Sequence, residues 1–81
     1  MKTVTFYHSI VCPRCALAKL WLGQLLPEFP DVTVERVDVL AERRKADEAG
    51  VRMIPALVAG DRRASGFILT KGAVRRFLEA I

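Results

Sequence analysis

At 81 residues the chain has room for a single domain, 1–81, and none for a second. A hydrophobic fraction of 52% with 27% charged residues excludes a disordered or low-complexity chain. The net charge of +4 comes chiefly from Arg43-Arg44-Lys45, Arg62-Arg63 and Arg75-Arg76, clusters that fall in separate elements beside acids. That pattern reads as a solvated face, with acidic protein partners as its sharper reading. A nucleic-acid surface would need a charged stripe with interleaved aromatics, so no nucleic-acid partner is expected. The longest apolar run, 16–26, is interrupted and too short for a bilayer, so no membrane partner is expected. The N-terminal MKTVTFYHSIV reads as a strand and not as a signal peptide. A cytoplasmic location is therefore expected, where lone structural disulfides are rare.

In chain order, Thr3–Tyr7 is β-branched and aromatic and predicts a strand. Pro13 suits the first turn of a helix, whose apolar set would be Leu17, Leu20, Trp21 and Leu25, with Trp21 in the core; Pro27 and Pro30 stop it. Val32–Val39 predicts a second strand and Ala41–Ala49 a short helix closed by Gly50. Met53-Ile54-Pro55 introduces a third strand, Ala56–Ala59. Gly60-Asp61 turns the chain into a fourth, Arg62–Phe67. Thr70 caps a last helix with the stripe Ala73, Val74, Phe77, Leu78 and Ile81. The order β-α-β-α-β-β-α requires a right-handed parallel crossover and then a hairpin. It implies a mixed four-stranded sheet with three helices on its two faces.

Both cysteines lie in SIVCPRCALAKLWL, at the mouth of the first helix. Residues three apart share a helical face, at about 5–6 Å between Cβ atoms. A disulfide closing so small a loop stabilises little, so a reversible bridge explains the pair better than a structural one. Cys12, at the positive end of the helix dipole and next to the fixed charge of Arg14, is expected to be the attacking thiolate. Pro13 and Arg14 then tune its ionisation. Cys15, a turn further in, would resolve the mixed disulfide that Cys12 forms. His8, just ahead of the motif, could assist a proton transfer or simply end a strand. The same two cysteines are also half of a zinc or iron–sulfur site, which a second subunit or an external thiol would have to complete. No bound metal is expected in the single chain.

C-P-x-C after the first strand, Met53-Ile54-Pro55 before the third and Ser65-Gly66-Phe67 after the fourth make the chain resemble the glutaredoxin/thioredoxin superfamily over nearly its whole length. The resemblance implies an α/β, minimal thioredoxin (glutaredoxin-like) fold. It implies that Pro55 is cis beside the thiols, and that Ile54 offers its backbone to an extended substrate. Ser65, Gly66 and Phe67 would border the substrate groove. Glutathione-using members carry a Tyr where this chain has Arg14, a Lys where it has Ser9, and an acidic pair where it has Ile68 and Leu69. The segment 58–67, with A-G-D and S-G-F, is similar to redoxins reduced by thioredoxin reductase that serve ribonucleotide reductase.

The activity so implied is reduction of protein disulfides by a CPRC dithiol, in a monomer with no bound cofactor. Its partners would be protein disulfides and a reductase, with electrons from thioredoxin reductase and NADPH or from glutathione. Ile10, Val11, Met53, Ile54, Phe67, Ile68 and Leu69 would form an apolar rim. The alternatives are a glutathione-dependent glutaredoxin, a metal or cluster carrier bridging two subunits, and a redox-silent interaction module. The buried acid found beneath the cysteines of thioredoxins proper has no counterpart in Thr3–Tyr7.

Overall fold

Strand β1 (Lys2–His8) leads into helix α1 (Pro13–Leu25), a 3-10 turn (Leu26–Glu28) and strand β2 (Val32–Asp38). Helix α2 (Arg43–Glu48), strands β3 (Ala56–Ala59) and β4 (Arg62–Ser65) and helix α3 (Lys71–Ala80) follow. This computed structural model describes residues 2–65 and 69–81. The strands lie in the order β2-β1-β3-β4, with β1 and β2 parallel and the other pairs antiparallel. This is the mixed four-stranded sheet with three helices that the sequence predicts. The expected fourth strand reaches Phe67; β4 ends at Ser65, and Gly66 and Phe67 lie outside the described residues.

Central strand β1 is apolar on both faces, as a strand covered on both sides must be. Val4 and Phe6 point to one side, where they join Leu57, Ala18, Leu22 and Leu25 of α1, and Val74, Phe77 and Leu78 of α3. Tyr7 points to the other, where it meets Val37, Ala46 of α2 and Ala56. Helices α1 and α3 thus cover one face and α2 the other. The stripe predicted for α3 is the one that is buried.

Helix α1 departs from expectation. Leu17 and Leu20 are 50% and 54% exposed and Trp21 is half-buried, whereas Cys15, Ala18, Leu22 and Leu25 face the sheet. Both sets have helical spacing, and the segment is apolar nearly all the way round, so periodicity alone leaves its phase open. The small Ala18, fully buried, sets the side on which the helix approaches the sheet, and that phase carries Cys15 inward.

The register gathers the site elements at one end of the sheet. Tyr7 pairs with Ala56, Ala56 with Ser65, and His8 with Asp38. The C-terminal ends of β1, β2 and β4 and the start of β3 therefore lie together. Gly50, at φ +71°, turns the chain out of α2 towards Ile54-Pro55, in a conformation that favours glycine. The Arg63 guanidinium donates to the carbonyls of Ala49 and Gly50 and ties that turn to β4.

Candidate active site

The loop between β1 and α1 is shaped by Ser9, which is buried. Its Oγ accepts from Val11 N at 3.3 Å and its carbonyl from Cys12 N at 3.2 Å. Cys12 then takes the N-cap position of α1 with an extended backbone, and its Sγ accepts from Cys15 N at 3.3 Å. A sulfur therefore occupies the place where a Ser or Asp oxygen commonly satisfies the first free N–H groups of a helix. Pro13 opens the helix, where its missing N–H is no loss.

Both cysteines are free thiols, and their surroundings push them in opposite directions. Slight burial acts against ionisation of Cys12. It is outweighed by the Cys15 side chain and the backbone N–H groups of Cys15 and Arg14, which donate to the sulfur, and by the Arg14 charge. The Cys12 thiol lies below its ordinary value of 9.0 as a result. Cys15 is only 2% exposed. Burial above all, and then the bond to the Cys12 sulfur, push its thiol up to about 11, against the opposing pull of Ser9 N–H and Arg14. One sulfur is thus accessible and easily ionised, and its neighbour is buried and holds its proton.

A pocket of about 260 Å³ opens beside the pair, lined by His8, Ser9, Ile10, Cys12, Cys15 and Lys19 among others. Lys19 is a site residue that the sequence reading missed; its signal is the four-residue spacing from Cys15, which puts both on one helical face. Ile10 and Val11 are 83% and 74% exposed next to Cys12, and Met53 is exposed too. Leu69, expected on this apolar rim, is instead 4% exposed in the core under α3. An apolar side chain one residue before the Thr70 helix cap is driven inward by the core that α3 closes. Phe67 and Ile68 lie outside the described residues.

The Ile54–Pro55 peptide is cis, and Pro55 is fully buried. Ile54 is half-buried against the smaller cluster. Ser65 is exposed at the end of β4 and lines a separate pocket of about 150 Å³ with Met53 and Arg63. The cysteine pocket and the Ser65 pocket are therefore distinct cavities. Among the described residues, no three His, Cys, Asp or Glu side chains group as a metal site would require. None of the described helices is long and apolar enough to cross a membrane.

No protein-family model matches the chain. A thioredoxin of Methanocaldococcus jannaschii is 34% identical over 56 residues, which are 68% of this chain and 66% of that protein. The chain thus matches slightly less than two thirds of this relative's length. Among solved structures, oxidized mitochondrial thioredoxin 3 of Saccharomyces cerevisiae superposes with a TM-score of 0.87. It is 22% identical, over 99% of this chain and 78% of the other. The desulfothioredoxin of Desulfovibrio vulgaris Hildenborough, in its reduced form, gives a TM-score of 0.82. It is 24% identical, over 99% of this chain and 81% of the other. A mixed four-stranded sheet flanked by three helices, matched this closely, is the thioredoxin fold. Together with the sequence match to thioredoxins over about two thirds of their length, the fold supports a thioredoxin/glutaredoxin-superfamily redoxin.

Proposed function

We propose that the protein is a thiol–disulfide oxidoreductase that reduces protein disulfides through Cys12 and Cys15. The observation that carries this reading is the opposite tuning of two free thiols within one helical turn. The Cys12 thiolate attacks one sulfur of the substrate disulfide and forms a mixed disulfide, and the first substrate thiol departs with a solvent proton. Cys15 then attacks Cys12 Sγ, the Cys12–Cys15 disulfide closes, and the second substrate thiol leaves. The substrate has gained two electrons and two protons; the protein has lost the two electrons and the Cys15 proton, and solvent has supplied the other proton.

Pro13 starts the helix that ionises Cys12, and Arg14 adds a positive charge. Ile54 and Pro55, at the same end of the sheet as the cysteine loop, offer an edge along which an extended substrate can lie. The exposed Ile10, Val11 and Met53 favour a protein surface over a small polar disulfide. Leu69, apolar and buried, offers no charge to the amino group of glutathione. No bound cofactor takes part; a reductase supplies electrons through thiol exchange, either thioredoxin reductase with NADPH or the glutathione system.

The test is insulin-disulfide reduction, driven in parallel by NADPH with thioredoxin reductase and by glutathione with its reductase. The wild-type chain turns over with at least one of them, and Cys12→Ser is inactive with both. Full activity in Cys12→Ser would overturn the assignment of roles.

A further inference from the structure

Burial protects Cys15 but leaves a chemical problem. The second half of the proposed reaction needs this sulfur as a thiolate, and it sits out of water with its thiol well above the neutral range. Something within reach has to take the proton. Among the described residues lining the cysteine pocket there is no carboxylate. Lys19 offers an ammonium group, which is a donor only. Ser9 Oγ already accepts from Val11 N, and a hydroxyl is too weak a base. Of these lining groups only His8 carries an imidazole, the side-chain type suited to both accepting and donating a proton in a shuttle.

Its position is held by the fold. The imidazole stacks on Phe6 with ring centroids 5.2 Å apart and planes 19° from parallel. Its carbonyl accepts from Val39 N at 2.8 Å, which anchors the end of β1. In the parallel register His8 pairs with Asp38, so both side chains leave the same face of the sheet. Asp38 Oδ1 accepts from Leu40 N at 2.8 Å and from Ala41 N at 3.4 Å, which orients the carboxylate. Among the described residues, Asp38 and Arg36 share this face through their pairing with His8 and Phe6, Lys19 lines the pocket, and the Arg14 charge acts on both cysteines. At about 260 Å³ the pocket has room for water, at about 30 Å³ each, through which a proton can cross.

We propose that His8 is the proton carrier of the resolving step: its imidazole takes the Cys15 proton through pocket water as that sulfur attacks Cys12 Sγ. The Cys12–Cys15 bond forms, the bond from Cys12 to the substrate sulfur breaks, and the imidazolium returns the proton through solvent to the departing thiolate. No further oxidant or reductant enters. This inference rests on the dithiol reading and deepens it.

Stopped-flow reaction of the reduced protein with Ellman's reagent separates the two steps. Cys12 attack releases the first chromophore in proportion to reagent concentration. Cys15 attack releases the second at a rate independent of it. In His8→Asn and His8→Gln the first phase is unchanged and the second slows on the order of 10²-fold at pH 7. Added imidazole restores much of it, and the gap narrows as the pH approaches 11. A wild-type resolving rate and pH profile in both variants would overturn the role of His8 and leave the dithiol reading standing. So would a slowing that is equal at every pH and indifferent to imidazole. Absence of the second phase in the wild-type chain would sink the dithiol reading itself. His8 is the chain's one histidine, so its imidazole NMR signals can be titrated in unmodified protein without any variant. The pH midpoint of the wild-type resolving rate must match that titration, and a mismatch refutes the proposal.

Discussion

Alkylation of the reduced protein at pH 7 probes the asymmetry between the two sulfurs directly. With its thiol at about 11, Cys15 is a thiolate in only about one molecule in 10⁴ at pH 7. Cys12 lies below 9.0, so its thiolate fraction exceeds about one in 10². Ionisation alone therefore separates the pair by at least about a hundredfold, and the 2% exposure of Cys15 widens the gap. Iodoacetamide followed by mass spectrometry should give one rapid adduct, mapped to Cys12, with a second at least about 10²-fold slower. The Cys12 rate should reach half its maximum below pH 9. In Cys12→Ser the remaining thiol loses its sulfur partner but keeps its burial, so alkylation stays slow. Two adducts forming at similar rates, or a midpoint at or above 9, would refute the reasoning.

Three further outcomes follow from the same geometry. Cys15→Ser should accumulate mixed disulfides with protein substrates, visible as a mass increase that dithiothreitol reverses. Leu22→Ala should cost about 2–5 kcal/mol in denaturant unfolding and Leu20→Ala about 0.5 or less, because Leu22 is buried against the sheet and Leu20 faces solvent. The raised Cys15 thiol makes the folded, reduced protein hold a proton that the unfolded chain releases first. Its stabilising contribution is complete below pH 9.0 and lost as the pH rises towards about 11. Unfolding in reductant should show that decline in the wild-type chain, and Cys15→Ala should lack it.

Much of this architecture is legible from residue type and spacing. The stripe on α3 has one polar side and one apolar side, so only one orientation buries it. The two cysteines announce themselves by position, since Pro13 marks where α1 starts and hence where its positive end lies. Helix α1 is harder, because Leu17, Leu20 and Trp21 are as apolar as Ala18, Leu22 and Leu25. Its phase is decided by how closely Ala18 lets it approach Val4, Phe6 and Leu57, which no local pattern encodes. For the same reason Lys19 enters the cysteine pocket only once that phase is known. Leu69 reads as rim because it follows Ser65-Gly66-Phe67, yet the start of α3 draws it into the core. The pairing of His8 with Asp38, thirty positions away, depends on the register of a parallel pair, and neither strand alone reveals it.

The most direct test is a redox equilibrium of the Cys12–Cys15 pair. Protein held in dithiothreitol or glutathione buffers of graded potential is quenched with acid and alkylated, and its free thiols are counted by mass. A reversible two-electron transition, approached identically from the oxidised and the reduced side and absent in Cys12→Ser, is the predicted result. A pair that never closes, or that closes and does not reopen across that range, would contradict an electron-carrying role.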